Sequence, residues 1–391
     1  MVKDKVNLIS KNCRMSNFEL LRIVAMFMII LHHIMVHCFY PQLTNATYIS
    51  FFNNGVFNYP IFFKKLLIPE TFSPLGKTAD GIFLIISGYF CVERENRINV
   101  FKLTKKLLLQ LIFATVFLIV VSIIMFPNQS VENRIGVIIS IKSFNDNWWF
   151  VGYYFIIVVI GAVFLNKKVS SLDKDRYITL LIVIFAFLSF SYTGVLIDAL
   201  AVGLRTLCAG IFCYLWGGFC KKYNPLKSVR LFTLFLCVFM IFIIVWITYY
   251  SSTIVKIDSY LKGDQSSPFI QLYGINYYAD YNILPISLAV IIFEFFRRIK
   301  IPSNVVINYI ASSCFMVYLI HENDFVREFW RYKDDLVSLL YFSPIKFCIR
   351  VVARAIITFA VGLFSYSIFQ CVLLLLSKMS FVFLKKHENL K

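Results

Sequence analysis

No hydrophilic stretch in this chain is long enough to fold as a separate soluble domain, so its chemistry must be carried by apolar segments and the loops between them. Charge is scarce. Only 15% of the 391 residues are Asp, Glu, Lys or Arg, 59% are hydrophobic, and the mean hydropathy is +0.75, which excludes an ordinary water-soluble domain. Acidic residues are the rarer sign, 21 against 39 basic ones. In a soluble protein the net charge of +18 would point to nucleic acid; here the clustering of basic residues between apolar runs gives it a membrane meaning and excludes that partner. The ten cysteines show neither CxxC spacing nor clustering with histidine, so they read as small core hydrophobes, and neither a disulfide framework nor a metal site is expected. An internal repeat and low-complexity tracts are lacking too. No small-residue cleavage site follows the first apolar run, so that run is expected to remain as a span.

What is present is a series of apolar runs of about 20 residues, the length at which a helix crosses a bilayer with its backbone groups satisfied internally. The sequence predicts an all-α, polytopic transmembrane bundle of about ten spans, near residues 18–40, 79–92, 107–126, 148–165, 177–193, 195–219, 229–250, 277–296, 304–321 and 346–376. With the N-terminus inside, 25 of the 39 basic residues fall in cytoplasmic segments, an asymmetry that places both ends in the cytoplasm. The expected organisation is a cytoplasmic segment 1–17, a transmembrane domain 18–376 and a cytoplasmic tail 377–391. The longest outer loops, 41–78, 251–276 and 322–345, are aromatic-rich and suit short interfacial helices.

The first span carries Glu19, Arg22, His33 and His37. Ionisable groups at mid-membrane cost roughly 2.5 to 3.5 kcal/mol each, so they mark function by default. From Arg22 to His33 is three helical turns plus about 20°, which puts both on one face about 16 Å apart, whereas His32 points about 80° away. His33 is the candidate general base, because a neutral imidazole can take a proton from a hydroxyl. Arg22, with Glu19 beside it at the cytoplasmic boundary, can hold a phosphate of a nucleotide-bearing donor. Further candidates are Arg205, alone in an apolar span with Asp198 as a possible partner, and His321, which ends the ninth span beside Glu322. Trp148 and Trp149 open the fourth span as belt anchors or a substrate platform, and Ser87 with Gly88 allows close helix packing or a substrate contact. Arg350 and Arg354 are expected to snorkel from the last span.

These residues resemble the membrane acyltransferase 3 family, polytopic O-acyltransferases of bacterial surface polysaccharides. FELLRIVAMFMIILHH carries the family's arginine, ten residues, histidine signature at Arg22 and His33. DGIFLIISGYF, NWWFVGYYFIIVVIGAVFLN, RTLCAGIFCYLWGGF and SSCFMVYLIHEND are similar to further family spans, in the family's order. Asp80 departs from the pattern, standing one position before the family's acidic or amide residue, which Gly81 replaces.

The resemblance implies an enzyme of the bacterial plasma membrane with no bound cofactor. It would transfer an acyl group, acetyl above all, from acyl-CoA to a hydroxyl of a surface polysaccharide or its lipid-linked precursor. His33 and Arg22 would be catalytic, with Glu19, Arg205, His321, Trp149 and Ser87 in substrate binding. Membrane lipids surround it; nothing in the sequence fixes an oligomeric state. A glycan or small-solute transporter also accommodates many spans and buried charges, but the paired Gly/Pro-interrupted helices expected of one are missing.

Overall fold

The computed structural model describes residues 14–92, 99–125, 148–189, 198–261 and 283–388, and among these every regular element is helical. Helix α1 (Ser16–Ile34) runs through a π-helical stretch (Met35–Phe39) into α2 (Tyr40–Leu43). The segment expected as the first outer loop folds as α3 (Ala46–Asn53), α4 (Tyr59–Lys65) and α5 (Leu67–Glu70), as the aromatic-rich composition suggested. Next come α6 (Leu75–Cys91), α7 (Val100–Met125), α8 (Trp149–Ile160), a second π-helical stretch (Gly161–Leu165) and α9 (Asn166–Ser170). These lead to α10 (Lys174–Ser189), α11 (Asp198–Tyr223), α12 (Leu231–Leu261) and α13 (Ile283–Arg298). Beyond them lie α14 (Val305–Ser312), α15 (Cys314–His321), α16 (Asp324–Lys333), α17 (Leu336–Phe342) and the long α18 (Pro344–Glu388).

Six described helices are long and apolar enough to cross a membrane, or seven if the pair Val305–His321 and Asp324–Arg331, bent by 75°, counts as one broken span. The other four expected spans coincide with α6, of 17 residues, with α10 and α13, whose described parts hold 16 residues each and adjoin 190–197 and 262–282, outside the described residues, and with a ninth that divides at Ser313. Capping explains where the chain restarts. Asn58, Asn304, Asn323 and Asp335 each accept a backbone N–H of the helix that follows, satisfying donors no intrahelical carbonyl can reach.

Helix α6 is central, with α1, α11 and α13 packed around it. In lipid there is no hydrophobic drive to bring helices together, so small residues that let backbones touch decide the contact. A Cβ on Gly88 would lie 1.7 Å from the Tyr214 carbonyl oxygen, and one on Gly217 2.0 Å from the Ile85 carbonyl oxygen. Those two glycines, one on each helix, set the distance between α6 and α11. Outer helices show the opposite pattern. On α7, Gln110, Ala114, Leu118 and Ser122 form a buried stripe four residues apart, while Phe101, Ile112, Val116 and Ile124 face outward.

One expectation fails at the last span and one at the fourth. Arg354 does not snorkel: it is 2% exposed, its Nε donates to Asp334 Oδ2 at 2.8 Å, and its guanidinium lies 5.4 Å from the Trp330 ring centroid. Arg350 pairs with the same carboxylate at 3.4 Å. The segment between α16 and α17 brings Asp334 against α18, so the charge is met inside the protein. Trp148 is not a belt anchor either; it is 3% exposed and donates Nε1–H to the Leu319 carbonyl at 3.2 Å.

Replacing Gly88 by Val should therefore separate α6 from α11, with a stability loss of about 1–3 kcal/mol or more, read as a lower unfolding temperature in detergent. A second test is the outer-loop carboxyl of Glu70, 2% exposed and bonded to the Tyr40 hydroxyl and to Ser73. Burial pushes it up from 4.5 to about 7. Its proton is bound more tightly in the folded state, so the stabilisation is full below 4.5 and is lost as pH rises through about 7. Thermal unfolding followed from pH 5 to 8 should fall with pH in the native chain, by up to about 3 kcal/mol, and the slope should flatten in Glu70→Gln.

Candidate active site

Two features meet along α1. The first is a cavity of about 280 Å³ lined at its polar end by Arg14, Arg22, Lys106 and Gln110, and deeper by Met26, Phe83, Phe150 and Tyr318. Three basic side chains around one small cavity make a site for a polyanion. Arg22 Nη1 lies 3.0 Å from Glu19 Oε1, and the Glu19 carboxylate is 9% exposed against 33% for the Arg22 side chain. Glu19 thus holds the guanidinium from below and leaves its outer edge free to meet a ligand. Arg14 is steered by Ser312 and by the Asn308 carbonyl. Ser87 reaches the same cavity, bonded to the Phe83 carbonyl and to Tyr154 Oη, each at 2.8 Å.

The second feature is a cluster of imidazoles around one buried carboxylate, at the far end of α1. His33 Nδ1 lies 3.0 Å from His321 Nε2 and 2.8 Å from Glu322 Oε1. His37 Nε2 is 3.5 Å from that same oxygen, while Glu322 Oε2 pairs with Arg327. The Glu322 side chain is 1% exposed, against 19% for His33 and 23% for His37, so the cluster opens on the histidine side. The π-helical stretch that contains His37 is the kind of local unwinding found at functional sites.

Hydrogen-bond chemistry assigns the tautomers. His321 Nδ1 is 2.8 Å from the Val317 carbonyl, which can only accept, so that nitrogen carries the proton and Nε2 is an acceptor. His33 Nδ1 then donates to His321 Nε2, and His33 Nε2 is left with a lone pair. That is the form a general base requires. Glu322 Oε1 sits close to His33 Nδ1 yet outside hydrogen-bond geometry with it, where it opposes a positive charge on the ring. Tyr318 links the two features: it lines the cavity, and its ring meets that of His321 edge-on at 5.8 Å.

Of the residues singled out in the sequence, Arg22, Glu19 and Ser87 gather at the cavity, and His33 and His321 meet at the cluster. His32 follows its divergent face: it is buried, and its ring fills the space where a Cβ on Gly76 would stand. Trp149 has Lys77 Nζ 4.0 Å from its ring centroid. Arg205 is half-buried on α11 and lines neither feature, while the side chain of its expected partner Asp198 lies outside the described residues. Glu322 and Arg327 are the functional candidates that pattern alone passed over, although Glu322 adjoins His321 at a span end. Lys106 and Arg14 were legible only as positive-inside charges. Nine described cysteines are all free thiols, as expected; the tenth, Cys13, lies outside the described residues.

No curated protein and no solved structure matches the chain. The family model described as an acyltransferase domain matches residues 15–366, a stretch that takes in the histidine cluster and, but for Arg14, the basic cavity. The chain belongs to the acyltransferase 3 family, and it is an acyltransferase built from membrane-crossing helices.

Proposed function

We propose that the protein moves an acyl group, most simply acetyl, from acyl-CoA to a hydroxyl of a surface polysaccharide or its lipid-linked precursor at the bacterial plasma membrane. The observation that carries this reading is the contact of His33 Nδ1 with His321 Nε2, the His321 ring being itself fixed by its Nδ1 contact with the Val317 carbonyl, which assigns the proton of His33 to Nδ1 and the acceptor lone pair to Nε2. The basic cavity lies toward the end of α1 that charge asymmetry assigns to the cytoplasm. Arg22, Arg14 and Lys106 there suit the phosphates of coenzyme A. Eleven residues of helix separate Arg22 from His33, about 16 Å, on the order of the extended arm between the coenzyme A diphosphate and its thiol.

In this mechanism His33 Nε2 takes the proton of the acceptor hydroxyl as its oxygen attacks the thioester carbonyl carbon. The carbonyl π electrons move to oxygen, and the tetrahedral intermediate then collapses with cleavage of the carbon–sulfur bond. The departing thiolate recovers the proton from His33, so ring and carboxylate end as they began. Glu322 opposes the transient positive charge on His33, and Arg327 holds that carboxylate in place. His321 supports His33 by direct contact, a positioning role closer to its geometry than acceptor binding. Trp149 has Lys77 over its ring and Phe150 and Tyr153 beside it, an aromatic group that suits an acceptor sugar. The position of Arg205 lends no support to an oxyanion role.

Purified protein given labelled acetyl-CoA and acceptor glycan should lose transfer in His33→Ala while remaining membrane-inserted, whereas His32→Ala should be much milder. Glu322→Gln should lower kcat by about 10²–10⁴, as removing the partner of a catalytic imidazole does. Full activity in His33→Ala would refute the base assignment. Mass spectrometry of surface glycans separates transfer from transport: an ester mass that vanishes with the gene supports transfer, and unaltered decoration with accumulated precursor supports transport. In Arg22→Lys the KM for acyl-CoA should rise by about tenfold or more, because a point charge replaces a planar fork. Unchanged donor affinity would remove Arg22 from the phosphate site.

A further inference from the structure

We infer that His33 Nδ1, His321 Nε2 and the Glu322 carboxylate form a binding site for one divalent transition-metal ion of the zinc class, and that the bound ion switches acyl transfer off. The three ligand atoms lie within 4.8 Å of one another. Ligands bound to zinc at 2.0–2.2 Å in a tetrahedron stand about 3.3 Å apart. The observed 3.0 Å between His33 Nδ1 and His321 Nε2 and 2.8 Å between His33 Nδ1 and Glu322 Oε1 need open by only a few tenths of an ångström. His37 Nε2, 3.5 Å from Glu322 Oε1, is placed to supply the fourth position.

The surroundings fit the same purpose. Metal-binding histidines nearly always donate their second ring N–H to a carbonyl or carboxylate, and ligating carboxylates are themselves held. His321 Nδ1 donates to the Val317 carbonyl, and Glu322 Oε2 pairs with Arg327. Both Nε2 of His321 and Oε1 of Glu322 therefore turn lone pairs inward, and the Oε1 atom is buried without a hydrogen bond. Imidazoles with one carboxylate favour zinc, cobalt, nickel or copper over magnesium and calcium. The partial exposure of His33 and His37 gives the ion a way in.

The consequence for catalysis follows from proton balance within one ring, and it rests on the acyl-transfer reading above. The ion takes the lone pair of Nδ1, so the single proton of neutral His33 moves to Nε2. The base nitrogen becomes a donor, and the hydroxyl proton has nowhere to go.

The full-length chain, free of any polyhistidine tag and stripped with chelator, should bind one Co²⁺ with the visible bands of a tetrahedral nitrogen–oxygen site, displaced by one Zn²⁺. His321→Ala and His33→Ala should weaken Co²⁺ binding at least tenfold, while His32→Ala, whose ring lies outside the ligand set, should bind as the native chain does. Unfolding temperatures show whether each variant is folded, and zinc should raise those of the native chain and of His32→Ala, but much less those of His33→Ala and His321→Ala. Acyl transfer by the stripped native protein should fall with zinc over the same range that displaces Co²⁺. Absence of stoichiometric binding by the native chain, undiminished binding in folded His321→Ala, or activation by zinc would each overturn the inference. Acyl transfer by a native protein that fails to bind stoichiometric Co²⁺ or Zn²⁺ would sink this site and keep the acyltransferase reading; binding in a protein that never transfers an acyl group would do the reverse.

Discussion

A carboxylate with almost no contact with water, Glu322, is the constraint around which this protein is arranged. Burying a lone ion is prohibitive, and it persists only where opposite charge and donors surround it. Arg327 meets one oxygen, while His33 and His37 stand near the other. The first helix, the end of α15 and the start of α16 must therefore be held in one place at once. Removing Arg327 would strand the charge, and removing the histidines would leave Oε1 facing apolar side chains. The cluster fastens three segments as much as it prepares a base.

Helix packing supplies the rigidity this needs. Gly88 and Gly217 let α6 and α11 meet backbone to backbone, and α6 in turn supports α1. Trp148 pins the carbonyl of Leu319, two residues before His321, and Val317 lies directly against Gly362 of α18. Thus the segment carrying His321 and Glu322 is located from two sides by contacts that involve no catalytic atom. A shift of an ångström at either would break the imidazole contacts, since hydrogen bonds weaken steeply beyond about 3.2 Å.

Helical periodicity alone made much of the first span legible. Eleven residues place Arg22 and His33 on one face, and one residue turns His32 away; in the structure His32 lies against Gly76, its ring centroid 5.5 Å from that of His33. The aromatic-rich loop 41–78 read correctly as short helices. What periodicity does not carry is pairing across the chain. His33 and His321 are 288 residues apart, and nothing in either segment names the other. The same blindness hid the Arg354 pair with Asp334: a single apolar span suggests escape to the interface, because the folded-back segment that brings the acid is invisible locally. Charge counting likewise marked Lys106 and Arg14 as cytoplasmic without revealing that they border a cavity.

The break between α15 and α16 explains why Glu322 escaped a pattern-based reading and why it works. Glu322 keeps right-handed helical backbone, its N–H still bonded to the Tyr318 carbonyl at 3.1 Å, and both it and His321 reach His33 Nδ1. The chain then bends by 75°, and Asn323, in extended conformation, caps the next helix through the Phe325 N–H. That bend returns Arg327 of α16 to Glu322 Oε2. Non-helical backbone at such a place is tolerated when it is buried in protein and its polar groups are met, as the Asn323 cap does here. A residue following a span-ending histidine reads as the start of a loop. Its anchoring comes from the turn, where a capping asparagine one position further on starts the helix that returns Arg327 to the carboxylate.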